Sequence, residues 1–136
     1  MTAARKQGQQ SVIFAHPPVL SAWASIVGPK EGQGPWARDF DKILDDYLDG
    51  QSSWEKAENK LLQTTVKTAV AKAGLDITEA ELLLAGDLLN QIISANYAAR
   101  ELNVPFLGLY GACSTMAESL LLAAMLVDGG FFERVV

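Results

Sequence analysis

The sequence predicts an α/β fold built on a mixed, mostly parallel sheet, and three observations support this prediction. Apolar runs typical of buried strands occur at 82–85 and 104–110, and a further strand begins at 133–136. Helix-like segments at 88–102 and 114–128 separate these runs. Strand and helix therefore alternate in units of roughly 25 residues, the spacing of parallel crossover connections. Continuous apolar strands also indicate a sheet that is covered on both faces.

The last helical segment, 115–127, is apolar around most of its circumference. Such a helix is expected to be buried on nearly all sides rather than to lie on a surface. It implies a helical layer between two sheets, or a fold of which half is missing. Because a strand is only beginning at 133–136, we expect the chain to be an incomplete part of a larger domain.

The first half of the chain gives weaker signals. Residues 1–10 are polar and predict a disordered tail, so the folded domain is expected to span 11–136, with a short strand at 11–14. Apolar residues at helical spacing predict a helix over 40–48. A capping box formed by Ser52 and Glu55 predicts the start of the next helix, which should end at Gly74.

Composition excludes several classes of function. The 136 residues suit one domain, and the net charge of −5 disfavours a nucleic-acid partner. The most apolar stretch, 120–127, is far shorter than the ~20 residues that a transmembrane helix needs. One cysteine and one histidine cannot form a disulfide or a soft-ligand metal site, so we expect no metal and no cofactor.

Cys113 is the most informative residue, because it lies in a sharp turn between the 104–110 strand and the helix that follows. The positive end of a helix favours a thiolate, so this position suits a nucleophile, and it equally suits an anion-binding pocket. A free cysteine is also often a small buried apolar residue. His16, beside two prolines, is not a convincing base for Cys113, which makes catalysis by this chain doubtful.

A second polar group follows the 82–85 strand. Asp87, Asn90 and Gln91 come directly after Gly86, at the carboxyl edge of the predicted sheet, where α/β folds bind ligands. Asp87 is also a good residue for capping a helix. Both roles, cap alone and pocket lining with or without capping, remain open from the sequence.

Gly111-Ala-Cys-Ser-Thr115, ahead of a helix that ends in Asp128-Gly-Gly130, resembles the nucleophile helix of the thiolase fold. A closer resemblance covers nearly the whole chain, and it is to the stage V sporulation protein AD family. It rests on the Cys113 turn together with the following motifs: Phe14-x-His16-Pro17, Gly28-Pro-Lys30, Phe40-Asp41, Trp54-Glu-x-Ala-Glu58, Ala85-Gly-Asp-Leu-Leu-Asn-Gln91 and Ala95-Asn-Tyr-x-Ala-Arg100.

This resemblance implies the N-terminal half of a thiolase-like fold, with the half that carries the catalytic histidine missing. It also implies a sporulation protein that binds dipicolinic acid, as the free acid or as a calcium chelate, for uptake into the forespore. The expected partners are other proteins of a spore membrane channel system and a second copy of the chain. The expected location is the cytoplasmic face of the forespore inner membrane, in peripheral association.

The expected ligand site follows from the sheet-edge position of the two polar groups. We expect free backbone N–H groups at 113–115 to receive one carboxylate of dipicolinate. Thiolases favour a glycine soon after the nucleophile, whereas this chain has Met116-Ala-Glu118, which places a carboxylate near the pocket. The predicted ligand-binding residues are Asp87, Asn90, Gln91, Cys113, Ser114, Thr115 and Glu118. The alternative is an acyltransferase of the thiolase or ketosynthase type, with Cys113 as its nucleophile.

Overall fold

The computed structural model describes residues 5–89 and 91–136. Within these ranges the protein is a mixed α/β structure with three α-helices and three small two-stranded sheets. The strands are β1 (Lys6–Gln7), β2 (Ser11–Val12), β3 (Ile26–Val27), β4 (Lys42–Ile43), β5 (Leu83–Ala85) and β6 (Phe106–Gly108). The helices are α1 (Trp54–Lys72), α2 (Ile93–Leu102) and α3 (Thr115–Asp128).

The parallel pairing of β5 with β6 forms the centre of the structure. Leu83, Leu84 and Ala85 pair in register with Phe106, Leu107 and Gly108. On the other side of β5, Val135 forms a parallel bridge with Leu82. The strands predicted at 82–85 and 104–110 are therefore adjacent and parallel, as expected, and the segment 133–136, which was predicted to begin a strand, forms a single parallel bridge beside them.

The hydrophobic core lies between one face of β5 and the helices α1 and α2. Alternate strand residues Leu83 and Ala85 point into this core, since successive side chains of a strand face opposite sides. The helices and adjoining loops contribute the other buried members: Val66, Val70, Ala80, Ala95, Ala99, Leu102 and Val104. Helix α1 begins one residue later than the capping box predicted, because Ser53 is the N-cap and accepts a hydrogen bond from the Lys56 N–H.

The helix predicted over 40–48 is wrong. Lys42–Ile43 forms β4, which pairs in parallel with β3. Asp46 then accepts hydrogen bonds from the backbone N–H groups of Leu48 and Gly50. Aspartate side chains that bond nearby backbone groups compete with helix formation, and here the turn is the result.

Helix α3 has the predicted bounds, but it is not buried. Asp128 is its only buried residue, and four of its large apolar side chains are exposed: Met116, Leu120, Leu121 and Met125. Helix α3 contacts β5 along one face, and these four side chains lie on the parts of its surface that the described residues leave exposed. The prediction of a buried central helix is thus wrong for this chain, and the thiolase-like layering stays a prediction.

The N-terminal residues pair with each other. Lys6 and Gln7 of β1 pair antiparallel with Val12 and Ser11 of β2, and all four residues are exposed. Residues 1–4 lie outside the described residues, so the predicted tail at 1–10 and the domain start at 11 stay predictions. None of the described helices is both long and apolar enough to cross a membrane.

The contrast between the core and α3 can be tested with two leucine substitutions. Leu83, which is 2 % exposed, contacts the core, whereas Leu121 of α3 is 56 % exposed. We expect Leu83→Ala to lower the free energy of unfolding by about 2–5 kcal/mol. Leu121→Ala, the matched control, should change it by less than about 0.5 kcal/mol. Urea unfolding followed by circular dichroism measures both values, and equal losses would contradict this assignment of the core.

Candidate site at the carboxyl edge of the parallel strands

The carboxyl ends of β5 and β6 bring the two predicted site segments together. The Leu109 N–H donates to the Ala85 carbonyl at 2.9 Å, so the chain segments stay paired past both strands. A Cβ on Gly86 would lie 2.1 Å from the Leu109 carbonyl oxygen and 3.0 Å from Cγ2 of Thr115. Only glycine allows this approach, because the obstructing atom belongs to the backbone. Gly86-Asp87 therefore lies directly beside the turn that leads into α3.

Asp87 is buried and holds the start of α2. Its Oδ1 accepts from the Ile92 N–H at 3.1 Å, and its Oδ2 accepts from the Ala95 N–H at 2.9 Å. These donors belong to the first turn of a helix, where N–H groups lack partners within the helix. The predicted capping role of Asp87 is confirmed, whereas its contact with a ligand stays a prediction.

The turn before α2 is longer than predicted. Helix α2 starts at Ile93 rather than near residue 88, and Gln91 and Ile92 have positive φ angles of 41° and 63°. A β-branched residue such as Ile92 is rarely found in this conformation, so the turn is strained. Gln91 is exposed, as its predicted role requires. Asn90, another predicted ligand residue, lies outside the described residues.

The Cys113 turn is a short 3-10 helix, Ala112–Ser114, that leads directly into α3. Cys113 is exposed, which excludes the buried alternative for this thiol. The Ser114 N–H donates to the Gly111 carbonyl at 3.0 Å, and the Thr115 N–H donates to the Ala112 carbonyl. The expectation of free N–H groups at 113–115 is therefore wrong at Ser114 and Thr115. Their side-chain roles stay predictions.

Glu118 folds back over the same turn. Its Oε1 accepts from the Ser114 hydroxyl at 3.1 Å, and a Cβ on Gly111 would lie 2.2 Å from its Oε2. A carboxylate in the first turn of a helix is stabilised by the helix dipole. The helix start that was predicted to attract an anion therefore already has one beside it. This part of the site favours a cation or a hydrogen-bond donor.

His16 lies at the opposite end of α3 from Cys113. Its backbone N–H donates to Oδ1 of Asp128, the last residue of the helix, at 2.6 Å. Cys113 precedes the first residue, and a helix of 14 residues is about 20 Å long. The two residues are therefore too far apart for His16 to act as a base for Cys113. Among the described residues, no group of three or more His, Cys, Asp or Glu could hold a metal ion.

Comparison with known proteins assigns the chain to a protein family. The sequence profile of stage V sporulation protein AD (SpoVAD) matches residues 8–136, nearly the whole chain. The chain belongs to the stage V sporulation protein AD family. It is 46 % identical over 129 residues to stage V sporulation protein AD of Bacillus subtilis (strain 168). The alignment covers 95 % of this chain and 38 % of that relative, so the chain spans well under half of the relative's length.

Glu58 is a residue of this SpoVAD family member to which the sequence assigned no chemistry. It lies on α1, and its Oε2 is buried with no hydrogen-bond partner among the described residues. Burial raises the pKa of its carboxyl group, hydrogen bonding to Ser94 partly opposes this, and the nearby charge of Asp87 raises the pKa further. Glu58 belongs to the Trp54-Glu-x-Ala-Glu58 motif, and this motif is the feature of the sequence that could have drawn attention to it. Its proximity to Asp87 could be seen only in the structure.

The titration of Glu58 gives a testable dependence of stability on pH. Its pKa is higher in the folded protein than in the unfolded chain, so the folded state binds this proton more readily. The resulting stabilisation is fully present below the ordinary glutamate pKa and is lost as the pH rises through the raised pKa. Glu58→Gln removes this titration. We therefore expect the variant to lose less stability than the parent as the pH rises above the ordinary glutamate pKa of about 4.3.

Urea unfolding at a series of pH values measures this difference. Glu133→Gln is the matched control, since Glu133 is exposed and its N–H bonds Glu81 at the amino end of β5, away from the site. Identical pH profiles for Glu58→Gln and the parent would show that Glu58 titrates normally in the folded protein.

Proposed function

We propose that this SpoVAD family member binds dipicolinate, as its calcium chelate, at the carboxyl edge of β5 and β6. The ligand class comes from the family resemblance. The proposed location of the ligand is supported by the close approach of Gly86 to Leu109 and Thr115, because the two predicted site segments lie side by side there. The strained turn before α2 lies at this edge, and so does the buried hydroxyl oxygen of Thr115, which has no hydrogen-bond partner among the described residues.

The charges at the site favour the chelate over the free dianion. Dipicolinate carries two carboxylates, and Glu118 would repel them at short range. Calcium binds six to eight oxygen ligands. The pyridine nitrogen and carboxylates of dipicolinate occupy only part of this set, so a protein carboxylate can complete it. Glu118 and the Ser114 hydroxyl that bonds it are proposed to supply two of the remaining oxygen ligands.

The aromatic ring of the ligand needs an apolar contact as well. Tyr110 directly precedes the turn and is 68 % exposed. Aromatic rings stack in offset or edge-to-face geometry, which suits a flat pyridine ring. Cys113, Thr115, Asn90 and Gln91 are proposed to line the remaining sides. Asp87 is proposed to act through the turn that it holds, because both of its oxygens already accept hydrogen bonds.

Calorimetric titration with and without calcium tests this proposal. With calcium dipicolinate, we expect Glu118→Gln to weaken binding about tenfold, the loss of one charge-assisted interaction. With dipicolinate alone, the same variant should bind at least as tightly as the parent, because the repelling charge has gone. Cys113→Ala and Asn90→Ala should each weaken binding in both conditions.

The exposed Glu133→Gln serves as the charge control, since it removes a carboxylate at the opposite edge of the strands. Circular dichroism of each variant shows that the fold is kept. Unchanged affinity in Glu118→Gln, Cys113→Ala and Asn90→Ala would exclude this location of the ligand. Tighter binding of dipicolinate without calcium would exclude the chelate.

The exposed thiol of Cys113 at a helix start favours a second candidate, an acyltransferase that uses Cys113 as its nucleophile. We propose binding rather than catalysis because His16 lies at the far end of α3. The candidates differ in a direct test, incubation with an acyl-CoA followed by mass spectrometry. Binding predicts no acyl adduct on Cys113, as in the Cys113→Ser control. An adduct that forms on the parent alone would support the enzyme.

The wider setting is also proposed from the family resemblance. We propose that the chain forms the N-terminal half of a thiolase-like fold, which accords with the parallel order of β6, β5 and Val135. Other proteins of the spore membrane channel system and a second copy of the chain are the proposed partners. The proposed location is the cytoplasmic face of the forespore inner membrane, as a peripheral protein.

A further inference from the structure

The carboxylate of Asp128, at the end of α3, binds the N-terminal segment of the described chain. Its side chain is fully buried at the last residue of α3. One oxygen, Oδ1, accepts from the His16 backbone N–H at 2.6 Å. The other, Oδ2, accepts from the guanidinium group of Arg5. Two points of the N-terminal segment are thus attached to one acidic side chain.

This carboxylate is costly to bury without Arg5. The carboxyl end of a helix carries a partial negative charge, so an aspartate at this position is disfavoured by the helix dipole. Burial adds a desolvation cost that an opposite charge must offset. Arg5 provides that charge, and its own side chain stays partly exposed.

The rest of the N-terminal segment is weakly held. Residues 5–13, which include β1 and β2, are all exposed, and so are the apolar side chains of Val12 and Ile13. A hairpin of two-residue strands without a buried face has little stability of its own. Its attachment to the domain therefore depends mainly on Asp128.

The segment that follows His16 forms one wall of an apolar groove. Residues 18–22 line this groove of about 610 Å³, together with α1, α3 and the Val135–Val136 segment. Its apolar lining includes Ala69, Ala73, Leu84, Leu120, Ala123 and Val127. Because His16 is only two residues before this wall, its bond to Asp128 restricts where the wall can lie.

We propose that Arg5 and Asp128 form a latch, which holds the N-terminal segment across the end of α3 and keeps the apolar groove between α1 and α3 narrow. Breaking the pair releases the segment from His16 through Ala22 and opens the groove. The core between β5, α1 and α2 stays intact. The latch lies at the opposite end of α3 from the Cys113 turn, so it does not depend on the proposed function.

Amide hydrogen exchange of the full chain tests the latch, with Arg5→Gln as the main variant. We expect the His16 amide to exchange about tenfold faster or more, the change that corresponds to losing one charge-assisted hydrogen bond. Amides at 19–22 should also exchange faster, while those of α1 and α2 stay unchanged. Binding of an apolar fluorescent dye should increase as the groove opens.

Two further variants make the result specific. Arg38→Gln removes an exposed arginine whose ion pair with Asp39 spans 4.0 Å, and it should change nothing. Arg5→Lys keeps the charge and should retain slow exchange at His16. Unchanged exchange at 16–22 in Arg5→Gln overturns the latch. Faster exchange throughout α1 and α2 also overturns it, since the pair would then stabilise the whole domain.

Discussion

The other elements take their positions from the short strand β5, which is paired on both sides. The Leu83 N–H donates to the Pro105 carbonyl at 2.8 Å, and the Leu84 N–H donates to the Val136 carbonyl at 2.7 Å. Every residue of β5 is buried, so each of these backbone groups needs a partner within the protein. With the strand fixed in this way, α1 and α2 cover one face, α3 contacts the other, and the polar turns lie at its carboxyl end.

The sequence predicted this centre well, because its signals are local. Apolar runs at 82–85 and 104–110 and the helical period of 115–127 are visible without any long-range contact. The Cys113 turn was predicted for the same reason, since it lies between two such segments. The parallel order of the strands could be predicted because a helix lies between them, and parallel strands are usually joined by such a helical crossover.

What the sequence could not predict depends on contacts between distant residues. The pairing of β3 with β4 joins residues 26–27 to 42–43, and neither segment has a strand period of its own. The occupied N–H groups at Ser114 and Thr115 depend on a local 3-10 turn that the helical pattern does not distinguish. Glu58 lies beside Asp87 because α1 packs against α2, so its raised pKa is a property of the packing.

The uncovered side of α3 has a thermodynamic consequence. Exposed apolar surface carries a hydration shell that raises the heat capacity of the protein in water. A partner that covers Leu120, Leu121 and Met125 releases this water, so its association has a negative heat-capacity change. The favourable enthalpy of such an association then grows as the temperature rises. The heat-capacity change measured by calorimetry therefore distinguishes a partner that covers α3 from one that binds only through polar contacts elsewhere on the domain.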